Sequence, residues 1–379
     1  LDLFGPVRLN VPPGQVVAHE QQDIRPFCQR LSTGPGALSL DLLENEDAEE
    51  GAPRATELWS TLVNQALYLE ATWKPSKRLT LVPGLRGDFF WTGSGERFSF
   101  DPRLTAKLDV MPKRLELVAA VGLFHQEPRV DRLHALLEGN PRLRHERALH
   151  AGLGINWQTR DSVRLETTAF YKQLWGVITE SDSYLSRGAD VTSENLANHG
   201  RGRVWGGELL LKKAANADCP AWLKVEKCFG WLSYTLLRAE RQAGPAEPWE
   251  VFEEDQTHLL TFVVSGTWPG GWELGIRFRL ASGRPQIFNT GGLFDSDGNT
   301  YIPAAGSTFQ GRMPLFHQLD IRVDKRFVFK RWMLSLYLDI QNVYSYQHSE
   351  FVQYNYNYTA RGMLKGLPIL PSLGIKGEF

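Results

Sequence analysis

The sequence predicts an all-β fold: an antiparallel transmembrane β-barrel, of which the chain carries about 13 spanning strands. Three observations predict it. Apolar and polar residues alternate with a period of two from residue 65 onward. The connections between these segments alternate between short and long. Large aromatics gather where the segments end. An extended strand turns successive side chains to opposite faces, and about 9–11 tilted residues cross a bilayer.

Composition narrows the alternatives. The chain has 379 residues and a formal net charge of -1, so no basic excess points to nucleic acid. It holds 12 Trp but no run of 18 apolar residues, so no membrane-spanning helix is expected. The opening LDLFGPVRLNVPPG shows no signal peptide and no initiator Met, so the chain reads as mature, trimmed or incomplete. Residues 1–55 lack a sustained period, are rich in Pro and Gly, and end in an acidic run. They read as an irregular extension or an extracellular loop, with 56–379 forming the barrel.

The strands follow in order. Leu67, Leu69, Ala71 and Trp73 alternate with Tyr68, Glu70 and Thr72. Leu79, Leu81, Leu85 and Phe89 oppose Thr80, Gly84, Arg86 and Asp88. Leu104, Ala106, Leu108 and Val110 oppose Arg103, Thr105, Lys107 and Asp109, and Leu115 to Leu123 continue beyond a tight turn at Pro112. The rhythm resumes at Ala151, Leu153, Ile155 and Trp157, then at Val163, Leu165, Ala169 and Tyr171. Weaker strands are expected at 203–212 and 228–239. Leu260 to Val264, Trp272 to Leu280, Leu319 to Val323 and Trp332 to Ile340 keep the same alternation. In the last segment, GLPILPSLGIKGEF, Ile369, Leu373, Ile375 and Phe379 share one face.

The polar face carries Glu70, Arg86, Asp88, Lys107, Glu116, Arg164, Glu166, Arg277, Arg279, Asp320, Arg322 and Asp324. That suits a wide, watered lumen, although the solvated face of a soluble sandwich also carries charge. Short turns fall near 74–78, 111–114, 159–162, 269–271 and 328–331; longer connections fall near 126–146, 177–201, 240–255 and 284–316. Turns on the periplasmic side and loops on the extracellular side is the outer-membrane arrangement. Trp73, Trp157, Trp268, Trp272 and Trp332 border the short turns, and Trp91 and Trp175 the long loops, as two interfacial girdles would. The YNYNY stretch at 354–358 reads as a strand-like extracellular extension.

Several short stretches carry a resemblance: PGLR (83–86), GNPRLRHER (139–147), DQTH (255–258), ASGRP (281–285), HQLDIRVDKRF (317–327), YLDIQNVYS (337–345) and GLPILPSLGIKGEF (366–379). In these the chain resembles the C-terminal β-barrel portion of a TonB-dependent outer-membrane receptor. Asn342 matches the Asn that follows the penultimate strand of such receptors. The resemblance implies a plugged barrel of about 22 strands in the outer membrane of a Gram-negative cell. It implies energised uptake of a scarce nutrient, such as a siderophore, through TonB, ExbB and ExbD. Implied partners are outer-membrane lipid, a small-molecule ligand and the barrel-assembly machinery, for which Leu373, Ile375 and Phe379 would be the signal. No cofactor is implied. The chain departs from the family in lacking a recognisable plug and in its odd strand count, so a partial barrel, unable to transport alone, is expected. Open sheet edges in lipid cost on the order of several kcal/mol per unpaired group.

Counting strands places Arg86, Asp88, Arg279, Asp339 and Gln341 inward and toward the extracellular half, where they could meet ligand or plug. The competing reading is a bracing network of lumen ion pairs. Loops 126–146, 177–200 and 285–314 are candidates for ligand capture. Cys219 and Cys228 flank a turn and could form a disulfide in an oxidising compartment or remain free thiols; Cys28 stands apart. Asp295, Asp297 and Asn299 read as a polar turn, since the far acidic ligand of a calcium loop is missing. His145 and His150 would point to opposite sides of a strand, so no metal site is expected. A passive porin-like channel is the alternative function. A barrel enzyme is a third, but its one neighbouring pair, His348 and Ser349, would point apart on a strand.

Overall fold

Among the described residues, thirteen long strands pair in one antiparallel sheet, each next to its neighbour in sequence. The computed structural model describes residues 17–19, 62–92, 95–133, 140–159, 163–187, 190–214, 219–306 and 311–378. The strands are β1 (Val17–His19), β2 (Leu62–Glu70), β3 (Leu79–Thr92), β4 (Gly95–Met111), β5 (Leu115–Gln126), β6 (Glu146–Gln158) and β7 (Val163–Arg187). Next come β8 (Asp190–Lys213), β9 (Lys227–Gln242), β10 (Glu250–Val251), β11 (His258–Trp268), β12 (Trp272–Ala281), β13 (Pro285–Gln286) and β14 (Asn289–Asp295). The last are β15 (Thr300–Ala305), β16 (Gly311–Arg312), β17 (Phe316–Val328), β18 (Met333–Gln341), β19 (Ser349–Tyr354), β20 (Arg361–Lys365) and β21 (Leu370–Glu378). The main sheet runs β1-β2-β3-β4-β5-β6-β7-β8-β9-β11-β12-β17-β18-β21, with β10 extending the edge of β9. The remaining six strands form three two-stranded sheets in the long connections, β14–β15 and β19–β20 as hairpins and β13–β16 enclosing the first of them. Among the described residues no helix is long and apolar enough to cross a membrane.

The alternation seen in sequence becomes two faces. Phe262, Phe278 and Leu319 share one cross-strand row, and Val264, Ile276, Ile321 and Ile340 share the next. Leu274, Val323, Leu338 and Leu373 make a third. These rows are not sealed inside anything. Leu153 is 68% exposed, Leu373 79% and Ile375 69%. A soluble monomer rarely exposes a contiguous apolar patch beyond a few hundred Å², whereas hydrocarbon is the natural solvent for such a face. The buried apolar cluster is small: Phe90, Leu133, Leu143 and Ile178, with Leu196 against it. It sits where the long connections meet the sheet.

The two rims are built differently. At the short-turn rim, Gly270 and Gly271 both have φ +82°. That left-handed geometry lets the Trp268 and Trp272 pair close a hairpin, and Gly271 lies so close to the Arg326 carbonyl that a side chain would collide. Trp73, Trp157, Trp268, Trp272 and Trp332 all fall on the apolar face here, by strand parity. Lys325 shares that face, opposite Trp272. Its Nζ reaches back to donate to the Gly270 carbonyl at 2.7 Å and lies 4.7 Å from the Trp272 ring centroid, a cation drawn to the interface.

The β8–β9 connection is the long one on this rim. Among its described residues is a 3-10 turn, Ala221–Leu223, and it is tied by a Cys219–Cys228 disulfide with Cα atoms 5.8 Å apart.

At the other rim, the stretch 177–200 is not a loop. β7 and β8 are 25 and 24 residues long and stay paired across three register shifts. Beyond Trp175, where pairing with β6 ends, β7 runs on for roughly 35–40 Å at the usual strand rise. The alternation there is broken by bulges, which re-aim side chains while keeping the backbone hydrogen-bonded. Likewise, only Tyr354 of the YNYNY stretch is strand; the chain then turns and returns through β20. Phe379 and all of residues 1–55 except β1 lie outside the described residues.

Candidate ligand-binding site

Four polar nodes hold the long-loop rim together. The first is in β3 and β4. The Arg86 guanidinium donates to both Asp88 oxygens, Nε to Oδ2 at 2.8 Å and Nη2 to Oδ1 at 2.6 Å, and Arg86 pairs across with Asp101. Asp101 in turn contacts His125, accepting its backbone N–H at 3.3 Å. Asp88 and Asp101 are both buried. Burying carboxylates is tolerated because each has charged or N–H partners.

The second node anchors the connection between β5 and β6. Arg97 donates to the carbonyls of Leu143 and Pro141, both at 2.8 Å. Asn140 donates to the Leu196 carbonyl at 2.8 Å, and Asn198 brackets Arg144 by accepting its N–H at 2.6 Å and donating to its carbonyl at 2.9 Å. The GNPRLRHER stretch is thereby stapled to the β7–β8 extension. His145 ends this connection with its Nε2 buried and without a hydrogen bond. Burial, reinforced by the nearby His125 and Arg97, pushes its pKa below the ordinary histidine value.

A third node joins DQTH to ASGRP. Asp255 is fully buried. It accepts from Arg312 Nη2 at 2.5 Å, Thr257 Oγ1 at 2.9 Å and the Ala239 N–H at 2.8 Å. Arg312 also donates to the Gly283 carbonyl at 3.0 Å. Gly283 approaches the Met313 carbonyl so closely that any Cβ would overlap it. The fourth node joins the last three sequence stretches. Asp320 accepts from Arg277 at 2.8 Å, Gln318 at 2.6 Å and the Asn342 N–H at 3.0 Å. Asn342, with φ +53°, donates to the carbonyls of Tyr346 and Leu367 and so fixes both ends of the β18–β21 connection.

Above the third node lies an open cavity of about 720 Å³. Its walls include Glu253, Gln256, Arg284, Gln286, Asn289 and Tyr354, from three different long connections. Arg284 pairs with Glu254 at 2.9 Å, and the Tyr354 hydroxyl accepts the Asn289 N–H at 2.9 Å. The wall is mixed: carboxylates, amides, one guanidinium and aromatic faces. Such a surface can hydrogen-bond and stack a small polar ligand.

The residues expected from sequence fall in two places. Arg86 and Asp88 form the pair in the first node. Arg279 lies 3.9 Å from Asp320, and Asp339 faces Arg322 at 4.0 Å. Gln341 ends β18 opposite Leu370. The cavity is walled by other residues: those at 285–289 fall in the 285–314 connection expected to capture ligand, whereas 253–256 and 349–354 carry no short-range pattern that unites them with it. The DQTH and ASGRP stretches were the available signal, since both edge the cavity. Asp295 to Thr300 closes the β14–β15 hairpin, with the Asp297 N–H donating to Asp295 at 3.1 Å.

A family model for the β-barrel of TonB-dependent receptor-like proteins matches residues 45–343. Among curated protein sequences nothing matches the chain. Among solved structures, the ferric citrate transporter FecA in its unliganded form is 20% identical, with a TM-score of 0.57 over 84% of this chain and 45% of that one. The ferripyoverdine receptor of the Pseudomonas aeruginosa outer membrane, bound to ferripyoverdine, is 13% identical, with a TM-score of 0.58 over 88% and 41%. The outer membrane transporter YddB of Escherichia coli is 12% identical, with a TM-score of 0.54 over 76% and 42%. The chain thus spans less than half the length of these structures. At such identities the likeness speaks to fold alone, but the family model covers most of the sequence: this chain belongs to the TonB-dependent receptor β-barrel family.

Proposed function

We propose that this chain forms barrel wall and outer rim of a receptor for energised uptake of a scarce nutrient, a siderophore being the leading class. The receptor would sit in the outer membrane of a Gram-negative cell and draw on TonB, ExbB and ExbD through a plug. The observation that carries this reading is the pairing of an exposed apolar face with an oppositely directed, ion-paired polar face, crowned by a polar cavity. Arg284, Gln286 and Tyr354 are suited to a ligand with carboxylate or hydroxamate oxygens and a flat ring. The lumen pairs Arg86–Asp88, Arg277–Asp320 and Arg322–Asp324 would brace the wall and offer exchangeable partners to a plug. No catalytic constellation is assigned: His348 pairs with Glu350 at 3.6 Å.

The test is growth. The native gene, returned to a strain stripped of its own iron-uptake receptors, should restore growth on a ferric chelate when iron is limiting. The same restoration must vanish when tonB is deleted. Uptake that persists without TonB would replace this reading with the passive channel.

A further inference from the structure

The apolar face changes character at the long-loop end of β6 to β9. From β6 to β9 the register is unbroken up to the long-loop rim, so its cross-strand rows can be read directly. The top row is Arg147, Trp175, Arg201 and Gln242. Below it come Leu149, Gln173, Arg203 and Glu240, then Ala151, Tyr171, Trp205 and Arg238. The fourth row, Leu153, Ala169, Gly207 and Leu236, is apolar. Arg147 thus shares its face with Leu149, Leu153, Ile155 and Trp157, all exposed.

Four arginines against one glutamate leave this patch with a net charge of +3. Glu240 is already shared between Arg203 Nε at 2.7 Å and Arg238 Nε at 3.0 Å. Arg203 also stacks 4.3 Å over the Trp249 ring. Arg147 and Arg201 stand exposed above them. From Arg147 to Trp157 the strand covers roughly 33 Å, or about 25 Å of membrane depth when tilted, which sets the top row, with Arg147 and Arg201, at headgroup level. By contrast, the row Leu260, Leu280 and His317 on the matching face of β11, β12 and β17 carries no arginine.

An apolar groove of about 520 Å³ adjoins the patch on the same face. Leu85, Pro102, Leu104, Val121, Leu123 and Leu149 line it. Leu149 therefore belongs to the groove and to the second row of the patch. A cation facing hydrocarbon is costly unless it meets an anion at the interface. Guanidinium groups bind phosphate oxygens in bidentate geometry.

We propose that this surface binds a phosphorylated, multiply acylated lipid of the outer leaflet. Its phosphate rests on Arg147 and Arg201, and an acyl chain lies in the groove past Leu149. The groove and the face favour a lipid over free phosphate. The proposal rests on the membrane-barrel reading and its orientation above.

The test uses the full-length protein extracted from outer membranes in mild detergent, with bound lipid read by native mass spectrometry. Heat-modifiable migration reports folding in every sample. Wild type should retain lipopolysaccharide, and R147Q/R201Q should retain at least about tenfold less while still migrating as a folded barrel. R147K/R201K should recover part of the loss, and phosphatidylethanolamine vesicles should not compete. The proposal is overturned by a folded R147Q/R201Q that keeps wild-type lipid, or by release of the lipid with millimolar inorganic phosphate. A wild-type protein that never shows heat-modifiable migration would overturn the barrel reading itself, a distinct result.

Discussion

The two rims of the sheet solve the same problem by different means. Both must satisfy the backbone and hold the strand ends in register. The short-turn rim does it locally, with Gly270 and Gly271 in left-handed geometry, Lys113 at φ +64° and a disulfide spanning nine positions of sequence. The long-loop rim does it over distance: Asp255 reaches Arg312, Asn140 reaches Leu196, and Asn342 reaches Leu367. A local device fails alone, whereas a long-range node takes several loops with it.

Asp255→Ala should therefore break the comparison most. It leaves Arg312 and the Ala239 N–H without their buried acceptor, a loss of about 3–5 kcal/mol. Limited proteolysis should then cut within both 243–257 and 282–315, with the short-turn rim untouched. Cutting confined to one of the two loops would show that the node does not couple them.

Removing the disulfide with Cys219→Ser and Cys228→Ser should cost about 2–3 kcal/mol, read as a lower temperature for loss of the heat-modifiable form. Proteolysis should stay within the β8–β9 connection. Asn198→Ala is expected to be milder, about 1–3 kcal/mol for the unpaired Arg144 N–H and carbonyl. Hydrogen exchange should rise in 140–145 and leave β12 to β18 unchanged.

The smallest effect is one of pH. His145 is held below its ordinary pKa by burial. The unfolded chain takes up a proton near pH 6.5 while the folded rim resists it, so stability is full above that value and falls as pH drops below it. The protection of amides in 140–145, referenced to the intrinsic exchange rate at each pH, should be lower at pH 5 than at pH 7.5, and His145→Gln should narrow the difference. An unchanged pH dependence in that variant would remove His145 as the cause.

The same contrast explains what sequence could tell. Spanning strands were legible because hydrocarbon and water impose a strict period of two, as Leu334, Leu336 and Leu338 show against Ser335, Tyr337 and Asp339. Tight turns were legible because Pro269, Gly270 and Gly271 carry their own geometry. The β7–β8 extension was not, because bulges after Trp175 break the period while pairing continues. The cavity was not, because its walls come from segments about 100 residues apart that only the fold brings together. Arg86 and Asp88 were visible as a charged pair on one face; that Asp101 and His125 complete their node depends on strand register. Rows of the outward face, including Arg147 beside Arg201, also need register before they can be read.

The Cys219–Cys228 bridge closes a ring so short that it needs no neighbouring strand to bring its thiols together. On the proposed outer-membrane reading, it can be made on the exported chain as soon as an oxidant reaches it, ahead of insertion into the bilayer. A strain without periplasmic thiol oxidation would then deliver both thiols reduced and a linear β8–β9 segment. The order of chemistry and assembly is thus written into the spacing of two residues.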